Sequence, residues 1–212
     1  MSATAGKFLV FEGGEGSGKS TQAALLAERI GATLTREPGG TGIGTRLREV
    51  LLASSDDEVP MSDRAEALLI AADRAQHCAQ VLRPSLESGT DVVCDRYIGS
   101  TIAYQGAGRG LDSTELARIS AWATDGLVPD LVILLVVDPA MAAERIGAAR
   151  DRIEAAGPEF HRRVSVSFVE QAAADPERWC VLDGAGTVED VSERVWRSVL
   201  ERWPELDADD RG

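Results

Sequence analysis

The run Gly13-Gly14-Glu15-Gly16-Ser17-Gly18-Lys19-Ser20 fits the pattern G-x-x-x-x-G-K-[ST], a spacing suited to gathering phosphates. Glycine tolerates backbone angles closed to other residues, so successive N–H groups from Gly13 to Gly18 can converge on one polyanion. Lys19 adds a compact positive charge for a transferring phosphoryl group, Ser20 offers a hydroxyl to Mg2+, and Thr21 continues the nucleotide contact into the next helical turn. Lysine stands only at Lys7 and Lys19 among 22 Lys and Arg residues, so the chain's habitual cation is arginine. A lysine in the one loop that needs a point charge on a flexible stem favours a nucleotide cradle over a ligand-free glycine turn.

A phosphate loop serves switches, motors and small kinases alike. The chain contains no asparagine, which removes the N-K-x-D type of guanine reading used by regulatory GTPases. Small kinases need cations that hold two polyanions together, because phosphoryl transfer is mainly positioning and charge stabilisation. Arg36, Arg74, Arg96, Arg145, Arg150 and Arg152 fall at strand ends, on a helix facing a cleft, or in a candidate lid, whereas Arg118, Arg194, Arg197 and Arg202 read as solvated helix faces. In Val92-Val93-Cys94-Asp95-Arg96-Tyr97 a hydrophobic strand ends in two charges and an aromatic ring. Asp95 there is placed to orient Mg2+ together with Ser20, and Arg96 to reach an acceptor phosphate. His77 reads as a packed helix residue and His161 as part of a surface face; neither is needed for this chemistry.

These residues require a scaffold of βαβ units. Short β-rich runs at Lys7–Phe11, Ala32–Thr35, Asp91–Cys94, Leu131–Val137 and Trp179–Leu182 alternate with helical patterns, the signature of a mostly parallel sheet. Lys19–Ile30 places Ala23, Leu26, Ala27 and Ile30 on one face and ends at Gly31. A longer helix runs from a cap near Ser62 to Leu82, where Pro84 is expected to stop or kink it. Asp112-Ser113-Thr114-Glu115 resembles a capping box before Leu116, Ile119 and Trp122, and Thr187 opens a last amphipathic helix through Val191, Val195 and Val199.

Composition narrows the partners. The 212 residues suit one α/β domain, 1–212, ending in an acidic tail at about 204–212. A formal net charge of −13 opposes non-specific nucleic-acid binding, so phosphates must be gathered locally. Cys78, Cys94 and Cys180 lack any metal-ligand spacing and read as reduced thiols. No run is long enough to cross a bilayer and the N-terminus has no leader pattern, so a cytoplasmic protein with no membrane partner is expected.

Five motifs in order identify a family. Phe11-Glu12-Gly13 into the phosphate loop, Arg36-Glu37-Pro38-Gly39-Gly40-Thr41, Ala72-Asp73-Arg74-Ala75-Gln76-His77, Asp95-Arg96-Tyr97 with Ser100 and Ala103 to Gly110, and Asp151-Arg152-Ile153-Glu154 resemble bacterial thymidylate kinases over nearly the whole chain. The resemblance implies a P-loop fold, a five-stranded parallel sheet of order 2-3-1-4-5 flanked by helices, with a short lid at about 145–157. It implies ATP and Mg2+ as donor and metal, dTMP as acceptor, and a homodimer through helices near Ile43 to Leu52 and Ser62 to Leu82. Glu15 would then meet the sugar 3′-hydroxyl or its surroundings, Arg74 thymine O4, Thr101 the base edge, and Arg96 the acceptor phosphate. Arg36, Pro38, Ser100 and Gln105 would complete the acceptor pocket, and Tyr104 would exclude a ribose 2′-hydroxyl. Some relatives carry a catalytic arginine at the position of Gly16; here Arg150 or Arg152 would supply that charge from the lid, with Arg145 against adenine. Ile70 stands where the family usually stacks an aromatic ring on thymine. The rival readings are a kinase for another nucleoside or deoxynucleoside monophosphate and an ATP-binding protein without catalysis.

Overall fold

The computed structural model describes residues 5–53, 60–146 and 152–209. In chain order the elements are β1 (Phe8–Glu12), α1 (Lys19–Ile30), β2 (Thr33–Arg36), α2 (Gly42–Leu52), α3 (Asp63–His77), α4 (Arg83–Glu87), β3 (Val92–Asp95) and α5 (Ile98–Thr101). They continue with α6 (Ser113–Thr124), β4 (Leu131–Val136), α7 (Pro139–Ile146), α8 (Pro158–Ala174), β5 (Trp179–Asp183), α9 (Val188–Arg202) and α10 (Leu206–Asp209). All strand pairs are parallel and the order is β2-β3-β1-β4-β5, as the resemblance implies.

Burial on both faces explains the near-continuous apolar strands. Side chains alternate across the pleat, so Leu9 and Phe11 of β1 meet Ala23, Leu26, Val195 and Val199 of α1 and α9 on one face. Phe8 and Val10 meet Cys78, Leu82 and Tyr97 on the other, and Leu134 with Phe160, Val164 and Phe168 closes a third cluster under α8. Each such side chain contributes roughly 1.5–3 kcal/mol when taken out of water. Helix ends follow local chemistry: Thr187 and Asp190 form a capping box on α9, Asp112 accepts from the Thr114 and Glu115 N–H groups, and Gly31 closes α1 at φ 66.

Of the two outcomes expected at Pro84, a stop or a kink, the helix does not stop: α3 widens into a π-helical stretch at Cys78–Leu82 and continues as α4, the wider turn relieving the clash of the proline ring with the preceding turn. Trp122 of α6 is 84% exposed, whereas Leu116, Ser120 and Thr124 are buried.

A buried polar network ties the exit of β2 to α3. Glu37 accepts from Arg74 Nε at 2.7 Å and lies 2.9 Å from His77 Nδ1, while His77 Nε2 meets Thr35 Oγ1 at 2.7 Å. Asp73 accepts from the Gly39 N–H through Oδ1, but its buried Oδ2 has no hydrogen-bond partner among the described residues. Burial first, then the Glu37 charge, lifts the Asp73 carboxyl from 3.8 to about 6 against the pull of the Gly39 N–H, His77 and Arg74. Between those two values the folded chain holds more protons than the unfolded one, so stability falls as pH rises through this window and the penalty is complete above it. Asp73→Asn keeps an acceptor for Gly39 and removes the charge. It should therefore raise stability near neutral pH by on the order of 2 kcal/mol, with the gain disappearing as the pH falls toward 4, read as urea midpoints across pH.

Candidate active site

β1 and β3 are neighbours with Phe11 opposite Asp95, so the segments leaving them emerge side by side at the carboxyl edge of the sheet, where open α/β sheets bind ligands. Residues 13–18 follow β1 and lead into α1, whose N-terminus no side chain caps. Its first-turn N–H groups and the positive end of its dipole are thus available to an anion. Lys19 is buried, and its Nζ donates to Gly14 O at 2.6 Å and lies 3.3 Å from Ser17 Oγ. Burial and then Arg96 draw its pKa down to about 8 against the opposing charges of Glu15 and Asp95, so added phosphate charge favours the protonated form. Thr21 is exposed on the outer side of α1.

Ser20 Oγ donates to Asp95 Oδ2, and Asp95 Oδ1 is buried without a hydrogen-bond partner among the described residues. A hydroxyl beside a carboxylate with a spare buried oxygen suits a hard divalent cation such as Mg2+, which takes oxygen ligands.

Gly16 sits at φ 70, and a Cβ there would stand 2.5 Å from the Ala142 carbonyl oxygen of α7. The phosphate loop and α7 therefore touch backbone to backbone, and no arginine fits at position 16 unless α7 moves. Arg145, from the last turn of α7, reaches Gly16 O at 3.3 Å and Gly184 O at 3.2 Å, binding α7 to the loop and to the turn after β5.

The second half of the site begins at Arg96, whose φ of 73 is unusual for a side-chain-bearing residue. Its guanidinium donates to Gly13 O at 3.1 Å, Ser100 Oγ at 3.1 Å and Glu15 Oε1 at 2.6 Å. Burial would raise the Glu15 carboxyl, but Arg96, Lys19 and the Tyr104 hydroxyl outweigh it and hold it at about 2. Tyr104 Oη donates to Glu15 at 3.0 Å, its ring lies under the Arg96 guanidinium at 5.0 Å, and Phe160 and Phe168 pack behind it. Below, Glu12 at the end of β1 accepts from the Tyr97 and Ser100 N–H groups and from Ser100 Oγ at 2.6 Å.

A cavity of about 130 Å³ opens here, and Glu15, Pro38, Ile70, Arg74, Arg96, Ser100, Thr101, Tyr104 and Gln105 all line it. Arg74 is fully buried: its NH1 donates to Thr101 Oγ1 at 2.9 Å and its NH2 to Tyr97 O at 3.0 Å. Arg36 does not line the cavity; it is exposed at the end of β2 beside Gly39. Arg48 and Leu52 of α2, Glu37 and Ile153 line it without having been read from the sequence. No motif spacing marks Arg48 in so arginine-rich a chain, and only its position one helical turn before Leu52 links the two. A larger cavity of about 530 Å³ lies between the phosphate loop, the end of β4, α7 and α8. It is walled mainly by apolar side chains and includes His161, which is half-buried with its ring edge on Phe160 rather than on an open face. The smaller cavity, with three arginines, is the one suited to an anionic acceptor.

Of the two lid arginines, Arg150 lies outside the described residues. Arg152 is not drawn to the phosphate loop: its Nε donates to Leu51 O at 3.0 Å and its NH2 lies 2.7 Å from the buried Glu66 carboxylate, which attracts any cation within reach.

This arrangement matches known proteins. The family model described as thymidylate kinase matches residues 11–195. A thymidylate kinase of Cutibacterium acnes is 51% identical over 92% of this chain and 96% of its own length, and one of Deinococcus radiodurans is 48% identical over 93% and 98%. The crystal structure of thymidylate kinase from Ehrlichia chaffeensis superposes with a TM-score of 0.77 at 30% identity, covering 92% of this chain and 99% of that one. With the phosphate loop, the part-buried Arg96 between that loop and the smaller cavity, and this degree of identity in hand, the chain belongs to the thymidylate kinase family.

Proposed function

We infer that the protein transfers the γ-phosphoryl group of ATP to dTMP, giving ADP and dTDP. The observation that carries this reading is Arg96, a part-buried cation fixed to the phosphate loop through Gly13 O and lining the acceptor cavity. Backbone N–H groups of residues 13–18 and the start of α1 hold the donor phosphates, and Lys19 offsets the charge that develops as the bond between the γ-phosphorus and its bridging oxygen breaks. Arg96 holds the acceptor phosphate so that one of its oxygens forms the new bond in line, with no covalent enzyme intermediate. Ser20 and Asp95 are the residues that would hold Mg2+, which supplies charge neutralisation at the β- and γ-phosphates.

Arg74 and Thr101 are assigned to the base edge, Glu15 to the sugar, and Gln105 and Ser100 to the wall around them. Pro38 and Ile70 supply apolar contact, and Arg36 closes the outer rim. Arg145 is assigned to the adenine side and, with Arg152 held on Leu51 and Glu66, Arg150 is the lid arginine assigned to charge on the β/γ-phosphates. Exposed apolar residues support a homodimer: Ile43 (52%) and Val50 (54%) stand two turns apart on α2, and Leu68 (58%) stands on α3, which packs between α2 and α6. Among the described residues no helix is long and apolar enough to cross a membrane, and the three unbridged cysteines suit the reducing cytoplasm.

The direct test is ADP release with ATP, Mg2+ and a panel of dTMP, dUMP, UMP, CMP, GMP and AMP. Preference for dTMP is expected; release without acceptor preference sinks the reading. Because Ile70 gives thymine an aliphatic face, dUMP should be rejected by pocket shape alone, by about tenfold rather than by orders of magnitude.

Two variants test the assignment of the pocket. Arg96→Ala should raise the KM for dTMP and lower kcat together, by about a hundredfold or more in kcat/KM, while ATP affinity changes little; an unaltered KM for dTMP removes Arg96 from the acceptor. Tyr104→Ala should raise the preference for ribothymidylate relative to dTMP by roughly ten- to a hundredfold, since the ring fills the space a 2′-hydroxyl needs. Tyr104→Phe should keep the discrimination and lose only the bond to Glu15; an unchanged deoxy-to-ribo ratio in Tyr104→Ala ends the steric account.

A further inference from the structure

Glu66 of α3 is fully buried, yet it draws three donors from distant parts of the chain. Gln105 Nε2 donates to its Oε1 at 2.7 Å, Arg109 NH2 lies 3.1 Å from its Oε2, and Arg152 NH2 lies 2.7 Å from the same oxygen. Burial works to raise this carboxyl, but Gln105, Arg109 and Arg152 together bring it below the ordinary value, so it is an anion inside the protein. Arg109 also covers the Phe160 ring at 4.8 Å, which in turn backs Tyr104.

Two of the three groups that Glu66 holds, Gln105 and Arg152, adjoin the acceptor cavity. Gln105 lines it directly; Arg152 is followed by Ile153, which lines it; and the carbonyl taken by Arg152 Nε belongs to Leu51, next to Leu52, which lines it. An arginine hydrogen-bonded at Nε to a carbonyl, with NH2 in ion-pair contact 2.7 Å from a buried carboxylate, is held from two sides. Withdrawing it would leave the Leu51 carbonyl without that donor and the Glu66 charge with Arg109 as its remaining cation, an expensive state in a low-dielectric interior.

We propose that Glu66 is a positioning residue for the acceptor site, and that Arg152 acts through it to hold Ile153, Leu52 and Gln105 as one wall of the pocket, rather than contacting the transferring phosphoryl group. This deepens the dTMP reading and rests on it.

The test is steady-state and single-turnover kinetics of full-length Arg152→Ala, Glu66→Gln and the double variant with ATP, Mg2+ and dTMP. Each single change should raise the dTMP KM about tenfold while the ATP KM stays within about twofold and the saturating rate within about threefold. The double variant should be no worse than the poorer single one, because both remove the same contact, and Arg152→Lys should recover part of the dTMP KM by restoring the charge. A saturating rate about a hundredfold lower in Arg152→Ala with an unchanged dTMP KM assigns Arg152 to the transferring group and overturns the proposal; so does a fully additive double variant. If Glu66→Gln does not fold, Arg152→Ala decides alone, since it leaves Glu66 paired with Arg109. Failure of the wild-type enzyme to turn over dTMP removes the functional reading itself, whereas normal wild-type turnover with unaltered Arg152→Ala kinetics removes only the role of Glu66.

Discussion

The contact between the Arg96 guanidinium and the Glu15 carboxylate, 2.6 Å apart under the phosphate loop, is the constraint on which the rest of the site depends. An ion pair largely withdrawn from water is stabilising only when its remaining donors and acceptors are also satisfied, and here Gly13 O, Ser100 Oγ and the Tyr104 hydroxyl do so. The geometry has a backbone cost as well. Arg96 stands at φ 73, a region that costs a side-chain-bearing residue roughly 1–3 kcal/mol and persists only where its surroundings over-determine it. They do so through the Arg96 N–H, which donates to Phe11 O, and through Glu12, which takes the next N–H and that of Ser100. The strained residue is thus clamped on both sides by the last two residues of β1. The cation is locked where a donor loop and an acceptor cavity meet.

Sheet order makes that clamp possible. Because β3 lies beside β1, the charged residues ending adjacent strands come into one row, Arg36 opposite Asp95 opposite Phe11, with Glu12 next along β1. β1 and β3 are apolar up to their last residue and then deliver a charge at the carboxyl edge. Two charges from sequence positions far apart are thereby brought within reach of the same phosphates without any loop having to carry them. Lys19 and Ser20 join the row from the other direction, through the first turn of α1, and Ser20 closes onto Asp95.

The local chemistry of the site was legible in the sequence, and its long-range pairing was not. The phosphate loop could be read because cradle, lysine and hydroxyl are consecutive and sit between a strand and a helix. Strand positions were read to within a residue, and the error at the carboxyl ends of β1, β2, β3 and β5 has one physical cause. The apolar run ends at Phe11, Thr35, Cys94 and Leu182, but the parallel ladder continues to Glu12, Arg36, Asp95 and Asp183, whose backbones pair although their side chains are charged. The Glu37–Arg74 pair, by contrast, joins residues 37 apart, and nothing in either segment announces the other. The same holds for Glu66 with Arg109 and Arg152, which is why Arg152 was read as a cation for the donor phosphates although its side chain lies against α2 and α3. At Pro84, where a stop and a kink were both open, the helix continues because a helix that widens by one residue can carry a proline that a regular helix cannot.

Gly16 links the two ways in which such a site can receive its last positive charge. An arginine at that position of the loop needs space above it, and in this protein the space is filled by the Ala142 carbonyl of α7. The close approach is held by Arg145, which bonds the loop from the α7 side and the Gly184 carbonyl from the same guanidinium. Having no side chain at position 16 is therefore what allows α7 to rest on the loop, and α7 resting on the loop is what forbids an arginine there. Among the described arginines of the lid it is Arg145 of α7 that touches the loop, while Arg152 lies beside Glu66 near the smaller cavity, a division that follows from one absent Cβ and one buried carboxylate.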